Sequence, residues 1–318
     1  MTDDDAARAD FQGTSTFAGL PQTARDTLDA IGAVWNDDIN RHRRIVMDIY
    51  GPLAARAPKA GITVAKNIAY GADPRQVLDI YRPAAARLRP VVVFVHGGAF
   101  VRGLKDMNEE IYANVLWYFA RHGFVGINLE YRLAPAAAYP AGAQDVAAAV
   151  AWIEAHIGEH GGDPTRILLI GHSAGGTHVA GYMLDPDIGS PPASSVMGMV
   201  LISGRLRADL RPENPNAQNV AAYFGADPSL LERRSPVTHA ARCRCPVFIA
   251  IAEHENRFLD VYGAEFHFRL AEARGRAARF LQLPRHNHTS IVAHVNTGED
   301  ILGSAIRAFA AAECAIGS

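Results

Sequence analysis

The chain has 318 residues, 49% of them apolar, and a formal net charge of −2 at pH 7. That is ample material for a sizeable core, and a near-neutral chain without a Lys/Arg-rich run argues against nucleic acid or an anionic membrane as partner. The three cysteines, Cys243, Cys245 and Cys314, are too few for a disulfide framework and form no Cys-x-x-Cys pair, so reduced thiols are expected.

The first stretch, "MTDDDAARADFQG", is acidic and polar. It has neither the basic nor the apolar region of a signal peptide, and no later window approaches membrane-spanning length, so a cytoplasmic chain is expected. Residues 1 to about 19 read as a mobile tail. From Pro21 to Arg56 the pattern is helical, with Leu28, Ile31, Val34, Trp35 and Ile39 on one face and Ile45, Val46, Ile49 and Leu53 on another. These helices precede any strand, so residues 1–60 read as a tail and cap helices rather than part of a sheet.

Strands begin with "ITVAKNIAY" and "QVLDIY", spaced to pair as an antiparallel edge. "PVVVFVHGG" is a continuous β-branched run, as expected of a strand buried on both faces. "GFVGINLEY" is the next strand, "AGAQDVAAAVAWIEAHI" a helix, "RILLIGHS" a strand and "AGGTHVAGYML" a helix. "VMGMVLISG", "CPVFIAIAE" and "ARFLQLP" complete about eight strands, with helices at "FLDVYGAEFHFRLAEA" and "TGEDILGSAIRAFAAAECA". This alternation predicts an α/β fold with a mostly parallel sheet flanked by helices. The segment from about 205 to 241 interrupts it. It reads as a cap insertion over the C-terminal edge of the sheet, where such folds bind ligands, within a catalytic domain spanning 61–318.

Three separated segments carry the chemistry. Gly171-His172-Ser173-Ala174-Gly175 places a serine where a buried strand meets a helix. Glycines two positions away let other backbone approach, which exposes the hydroxyl, and the helix N-terminus favours negative charge beside it. A serine needs a base. "LPRHNHTSIVAH" offers His286, His288 and His294; His288 is preferred because it falls between the last strand and the last helix, with His286 second. No carboxylate or cysteine accompanies these histidines at ligand spacing, so no metal is expected. The orienting acid should follow "CPVFIAIAE", where Glu253 falls in the strand end, Asp260 in the next helix and Glu255 in the turn between them. Glu255 is preferred for that reason. The oxyanion donors expected are the amides of Ala174 and of Gly97 and Gly98 in "HGGAF".

Together "LDIYRP", "HGGAF", "YRLAP", "YPAGAQDV" and "GHSAGG" resemble, in this order, the hormone-sensitive-lipase-like carboxylesterases of the α/β-hydrolase fold. The resemblance runs from about Ile62 to the C-terminus. It implies a Ser173–Glu255–His288 triad, with Tyr131 and Arg132 as supports of the glycine loop. The family often has a third glycine where this chain has Ala99, and its acid is commonly Asp where this chain has Glu255. His172, in place of the usual Asp, looks more like bacterial small-ester esterases and kynurenine formamidases. The expectation is a serine hydrolase of small to medium acyl esters, without metal or cofactor. The alternatives are an amidase or arylformamidase with the same triad, or a non-catalytic ligand-binding scaffold. Phe100, His172, Tyr223 and Phe224 are candidate pocket residues, Arg205, Arg207 and Arg211 candidate carboxylate binders, and a homodimer is a candidate assembly.

Overall fold

The computed structural model describes residues 15–108 and 110–317. Eight strands form one sheet: β1 (Ile62–Ala69), β2 (Val77–Pro83), β3 (Arg89–Val95), β4 (Val125–Leu129), β5 (Gly162–His172), β6 (Val196–Ile202), β7 (Val247–His254) and β8 (Arg279–Asn287). Their spatial order is β1-β2-β4-β3-β5-β6-β7-β8. The β1–β2 and β2–β4 pairings are antiparallel and all others parallel. Residues 91–95 of β3 and 167–170 of β5 are fully buried, because helices cover both faces of these central strands.

The helices are α1 (Gln22–Ala33), α2 (Ile39–Arg56), α3 (Ala113–Arg121), α4 (Ala141–His156), α5 (Ala174–Leu184), α6 (Ala217–Phe224), α7 (Pro228–Arg233), α8 (Leu259–Arg274), the single turn α9 (Ser290–Ala293) and α10 (Leu302–Glu313). No helix among the described residues is long and apolar enough to cross a membrane. The three cysteines are free thiols.

Two departures from the sequence reading stand out. Helix α3 has no counterpart there: it is only nine residues long and its N-cap Tyr112 makes no side-chain cap bond, so no start signal marks it. The expected mobile tail also does not extend to residue 19. Residues 1–14 lie outside the described residues, but Phe17 is fully buried. Its amide donates to Glu299 Oε2 at 2.8 Å, and its ring meets His286 edge-on at 5.3 Å.

Candidate active site

The strand-to-helix turn at β5–α5 is tight. Ser173 has φ 56° and ψ −119°, a conformation that costs a side-chain-bearing residue energy and is held by its surroundings. A Cβ at Gly175 would lie 2.0 Å from the Val95 carbonyl oxygen, and one at Gly171 would lie 2.5 Å from that of Gly175. Only glycine lets β3 and α5 close on the elbow from both sides. The Ser173 amide donates to Ile202 at 2.9 Å, and the Ser173 carbonyl accepts from Gly176 and Arg205 at 3.1 Å each.

The structure brings Ser173, His288 and Glu255 together. His288 follows the end of β8, and its Nε2 lies 3.1 Å from Ser173 Oγ. Its Nδ1 lies 2.7 Å from Glu255 Oε2. Glu255 follows β7; its other oxygen, Oε1, accepts from the Ala252 amide at 2.9 Å and from the Ser203 hydroxyl. With two donors on Oε1 and the imidazole on Oε2, the carboxylate has one orientation. It holds the tautomer of His288 that carries hydrogen on Nδ1 and leaves Nε2 to accept from serine.

The competing candidates point elsewhere. Glu253 is exposed and accepts from the Arg285 amide at 2.6 Å. Asp260 lies in the first turn of α8. His286 bonds Glu299 Oε1 at 2.8 Å and Ser290 Oγ at 3.0 Å, and His294 is buried beside it, ring centroids 4.5 Å apart. A carboxylate therefore does join the histidine cluster, contrary to the sequence reading. Glu299 is distant in sequence and reaches His286 and His294 only through the fold.

The glycine loop is pinned from below. His96 bonds the Gly97 carbonyl at 2.7 Å and Glu130 Oε1 at 3.0 Å, and Tyr131 donates to the His96 carbonyl at 2.9 Å. Arg132, expected to support this loop, binds Asp145 instead: its amide donates to Oδ2 at 2.8 Å and its Nε to Oδ1 at 2.9 Å. Gly98 has φ 151°, and a Cβ there would lie 1.7 Å from the Arg102 carbonyl oxygen. Ala99 at φ 50° and Phe100 at φ 72° carry the turn onward. The Gly97 amide sits against the Tyr112 hydroxyl. That hydroxyl lies 3.3 Å from His172 Nδ1, whose Nε2 donates to the His288 carbonyl at 3.0 Å. Burial, with the neighbouring His288, holds His172 well below the usual imidazole pKa. His172 is thus a neutral bridge between the glycine loop and the His288 loop.

Gly97, Gly98, His172, Ser173, Ala174 and His288 all line one cavity of about 460 Å³. A larger cavity, about 870 Å³, opens near Leu184, Arg242 and Pro246 and includes none of these residues. The catalytic-side cavity is walled by α2, the glycine loop and the insertion, and its lining is unexpectedly polar: Arg43, Arg102, Arg205, Asn216, Asn219 and Asn256. Of the candidate pocket residues, only His172 lines it. Phe100, Tyr223 and Phe224 are at most 3% exposed and pack on one another. Phe100 stacks on Tyr223 at 4.7 Å and meets Phe224 edge-on at 5.3 Å. Three large aromatics gain more by burying against each other than by facing a polar cavity. Arg207 pairs with Glu232 and Glu265, and Arg211 pairs with Asp209 while stacking on Phe258. Arg205 alone of the three faces the cavity.

Comparison with known proteins gives the same frame. Residues 78–184 match the BD-FAE family. The chain is 40% identical over 110 residues to carboxylesterase NlhH of Mycobacterium tuberculosis, 32% of each chain. It is 30% identical over 241 residues to esterase LipC of the same organism, 70% of this chain and 59% of that one. The matches thus span about a third to three-fifths of these curated relatives. Over its whole length the fold is similar to a bacterial heroin esterase, with TM-score 0.66, 25% identity, and coverage of 96% of this chain and 100% of that one. It also superposes on esterase B of Lactobacillus rhamnosis at TM-score 0.68 and 19% identity, covering 90% and 95%, which speaks to fold alone. These relatives are named as esterases, and none of them as an amidase.

Proposed function

We propose that this chain is a member of the hormone-sensitive-lipase-like family of α/β-hydrolases, as its likeness to LipC and to the bacterial heroin esterase supports, and that it hydrolyses carboxylic esters of small to medium acyl chain through an acyl-enzyme on Ser173. The observation that carries this reading is the continuous relay from Ser173 Oγ to His288 at 3.1 Å and from His288 to Glu255 at 2.7 Å, opening on a cavity.

His288 Nε2 takes the hydroxyl proton as Ser173 Oγ bonds to the ester carbonyl carbon. Glu255 stabilises the imidazolium that results. The oxyanion is held by amides at the glycine loop and at the N-terminus of α5. Gly98, Ala99 and Ala174 line the cavity and, among the described residues, their amides donate to no protein group. Gly97, faced by Tyr112, shapes the loop instead. Collapse expels the alcohol, which takes the proton from His288. Water then gives a proton to His288 and attacks the acyl carbon, and the departing Ser173 Oγ recovers that proton. In this reading the helices before residue 61 and the insertion at 205–241 cap a catalytic domain of residues 61–318. We place the protein in the cytoplasm on its three free thiols.

The test is a panel of p-nitrophenyl acetate, butyrate and octanoate with the native chain and Ser173→Ala, together with a fluorophosphonate followed by intact mass. Ester turnover and one covalent adduct are expected for the native chain, and neither for the variant. Equal turnover by Ser173→Ala would overturn the mechanism.

A further inference from the structure

The cavity beside Ser173 contains a buried positive charge that the hydrolysis of a neutral ester does not use. Arg205 is 3% exposed and lines the cavity. Its side chain makes no hydrogen bond or ion pair among the described residues, and its buried Nη1 has no partner of any kind. Asp209 attracts it through space, but the Asp209 oxygens are committed to Arg211 at 3.0 Å and to the Tyr262 hydroxyl. An unpaired guanidinium out of water is strongly unfavourable, and such groups persist where a counter-charge arrives.

Two further cations face the same space. Arg43, half-buried on α2, donates to the Met107 sulfur at 2.8 Å and, among the described residues, to no carboxylate. Arg102, exposed on the glycine loop, also lines the cavity and forms no ion pair among the described residues; partial burial and then the neighbouring Arg43 lower its pKa. Among the described residues, the only carboxylates that line the cavity are Asp37 and Asp38, both exposed at its edge. The Asp38 side chain is occupied capping α2 through the Arg41 amide at 2.9 Å. Among the described residues, the charge lining the deep part of the cavity is therefore positive, and Asp209 acts on Arg205 only through space.

The geometry points to a carboxylate-binding subsite: resting on the hydrolase reading above, we propose that the preferred substrate is an ester that itself carries a carboxylate, held by Arg205, with Arg43 lining the same cavity. A guanidinium matches a carboxylate in a planar two-point contact. Arg205 is anchored at the reacting centre, since its amide donates to the Ser173 carbonyl at 3.1 Å and its own carbonyl accepts from Thr177 Oγ1 at 2.5 Å. The charge is thus placed at a fixed offset from the nucleophile, within one small molecule's reach.

Two matched substrate pairs test this and locate the charge. p-Nitrophenyl hemiglutarate against p-nitrophenyl pentanoate places the carboxylate on the acyl side. 4-Acetoxybenzoate against 4-acetoxytoluene places it on the alcohol side. The native chain should favour the anionic member of at least one pair in kcat/KM. That ratio should fall about ten- to a hundredfold in Arg205→Gln, as expected for losing one charge-assisted hydrogen bond, with Arg43→Gln as a second, half-buried variant and Arg205→Lys restoring part of the ratio. Calorimetric titration of glutarate and 4-hydroxybenzoate into the native chain and Arg205→Gln reads the subsite without turnover. If neutral esters are cleaved but neither pair shows an Arg205-dependent preference, the subsite is refuted and the hydrolase reading stands. If no ester is cleaved yet either anion binds through Arg205, the subsite stands and the hydrolase reading falls.

Discussion

Replacing Glu255 by Gln tests the orientation of the relay rather than its charge alone. The two oxygens of Glu255 have different neighbours. Oε1 faces two donors, the Ala252 amide and the Ser203 hydroxyl, while Oε2 faces His288 Nδ1. In Glu255→Gln the amide oxygen must take the Oε1 position, because an NH2 group there would meet two donors. The NH2 group then faces His288 Nδ1 and requires it to accept. That forces hydrogen onto Nε2, which points at Ser173 Oγ and can no longer take its proton. The equivalent tautomer error in a serine protease lowers kcat by about 10⁴-fold, which corresponds to about 5 kcal/mol of barrier. The assay is kcat for p-nitrophenyl butyrate at pH 7, with Glu253→Gln and Asp260→Asn alongside, each expected within about threefold of the native chain because neither approaches His288. Circular dichroism would verify folding. A Glu255→Gln variant keeping more than about 1% of kcat, or an Asp260→Asn variant losing as much, would refute this assignment.

His172 is a positioning residue, and its removal should act on kcat rather than KM. His172→Leu deletes the donor to the His288 carbonyl, so kcat for a small ester should fall about tenfold with KM little changed, the scale of one hydrogen bond; His172→Gln should recover part of it, and a rise confined to KM would contradict the role. Stability should also fall on mild acidification. Burial depresses His178 to about 3 and His294 to about 4, so between those values and the unfolded pKa near 6.5 the unfolded chain binds the protons and the folded chain does not. Stability from this source is fully present above about pH 6.5 and declines as pH falls below it, by up to about 1.4 kcal/mol per pH unit for each histidine. Urea unfolding at pH 7, 6 and 5.5 should show this decline, and His178→Gln should make it shallower; a flat native profile would contradict neutral burial.

The parts of this molecule that could be read from sequence are those where local chemistry admits few solutions. Val91–Val95 and Ile167–Ile170 are too uniformly apolar for anything but the buried centre of a sheet. The small residues around Ser173 are legible because β3 passes so close that Gly175 could not be anything larger. Contacts between distant segments left weaker traces. Arg43 stands in a helix read as part of a cap, and nothing in its neighbours announces that its own side chain lines the cavity. Glu299 joins His286 and His294 only through the fold. Phe100, Tyr223 and Phe224 are equally compatible with a pocket wall and with packing, because an aromatic ring in a glycine turn or an insertion carries no periodic signal of which way it faces.

The N-terminal helices reach the relay from outside the sheet. The Trp35 indole donates to Asn256 Oδ1 at 2.8 Å, and Asn36 donates to the Glu255 carbonyl at 3.0 Å while accepting from the Arg257 amide at 3.1 Å. Three consecutive residues of the acid loop are therefore fastened to the same structure that walls the cavity. Access and competence are mechanically linked: a swing of α1 and α2 that widened the entrance would pull on the backbone of the very residue that orients His288. The chain resembles a latch whose bolt is part of the working mechanism, so exchanging these helices to accommodate another substrate would retune catalysis as well as fit.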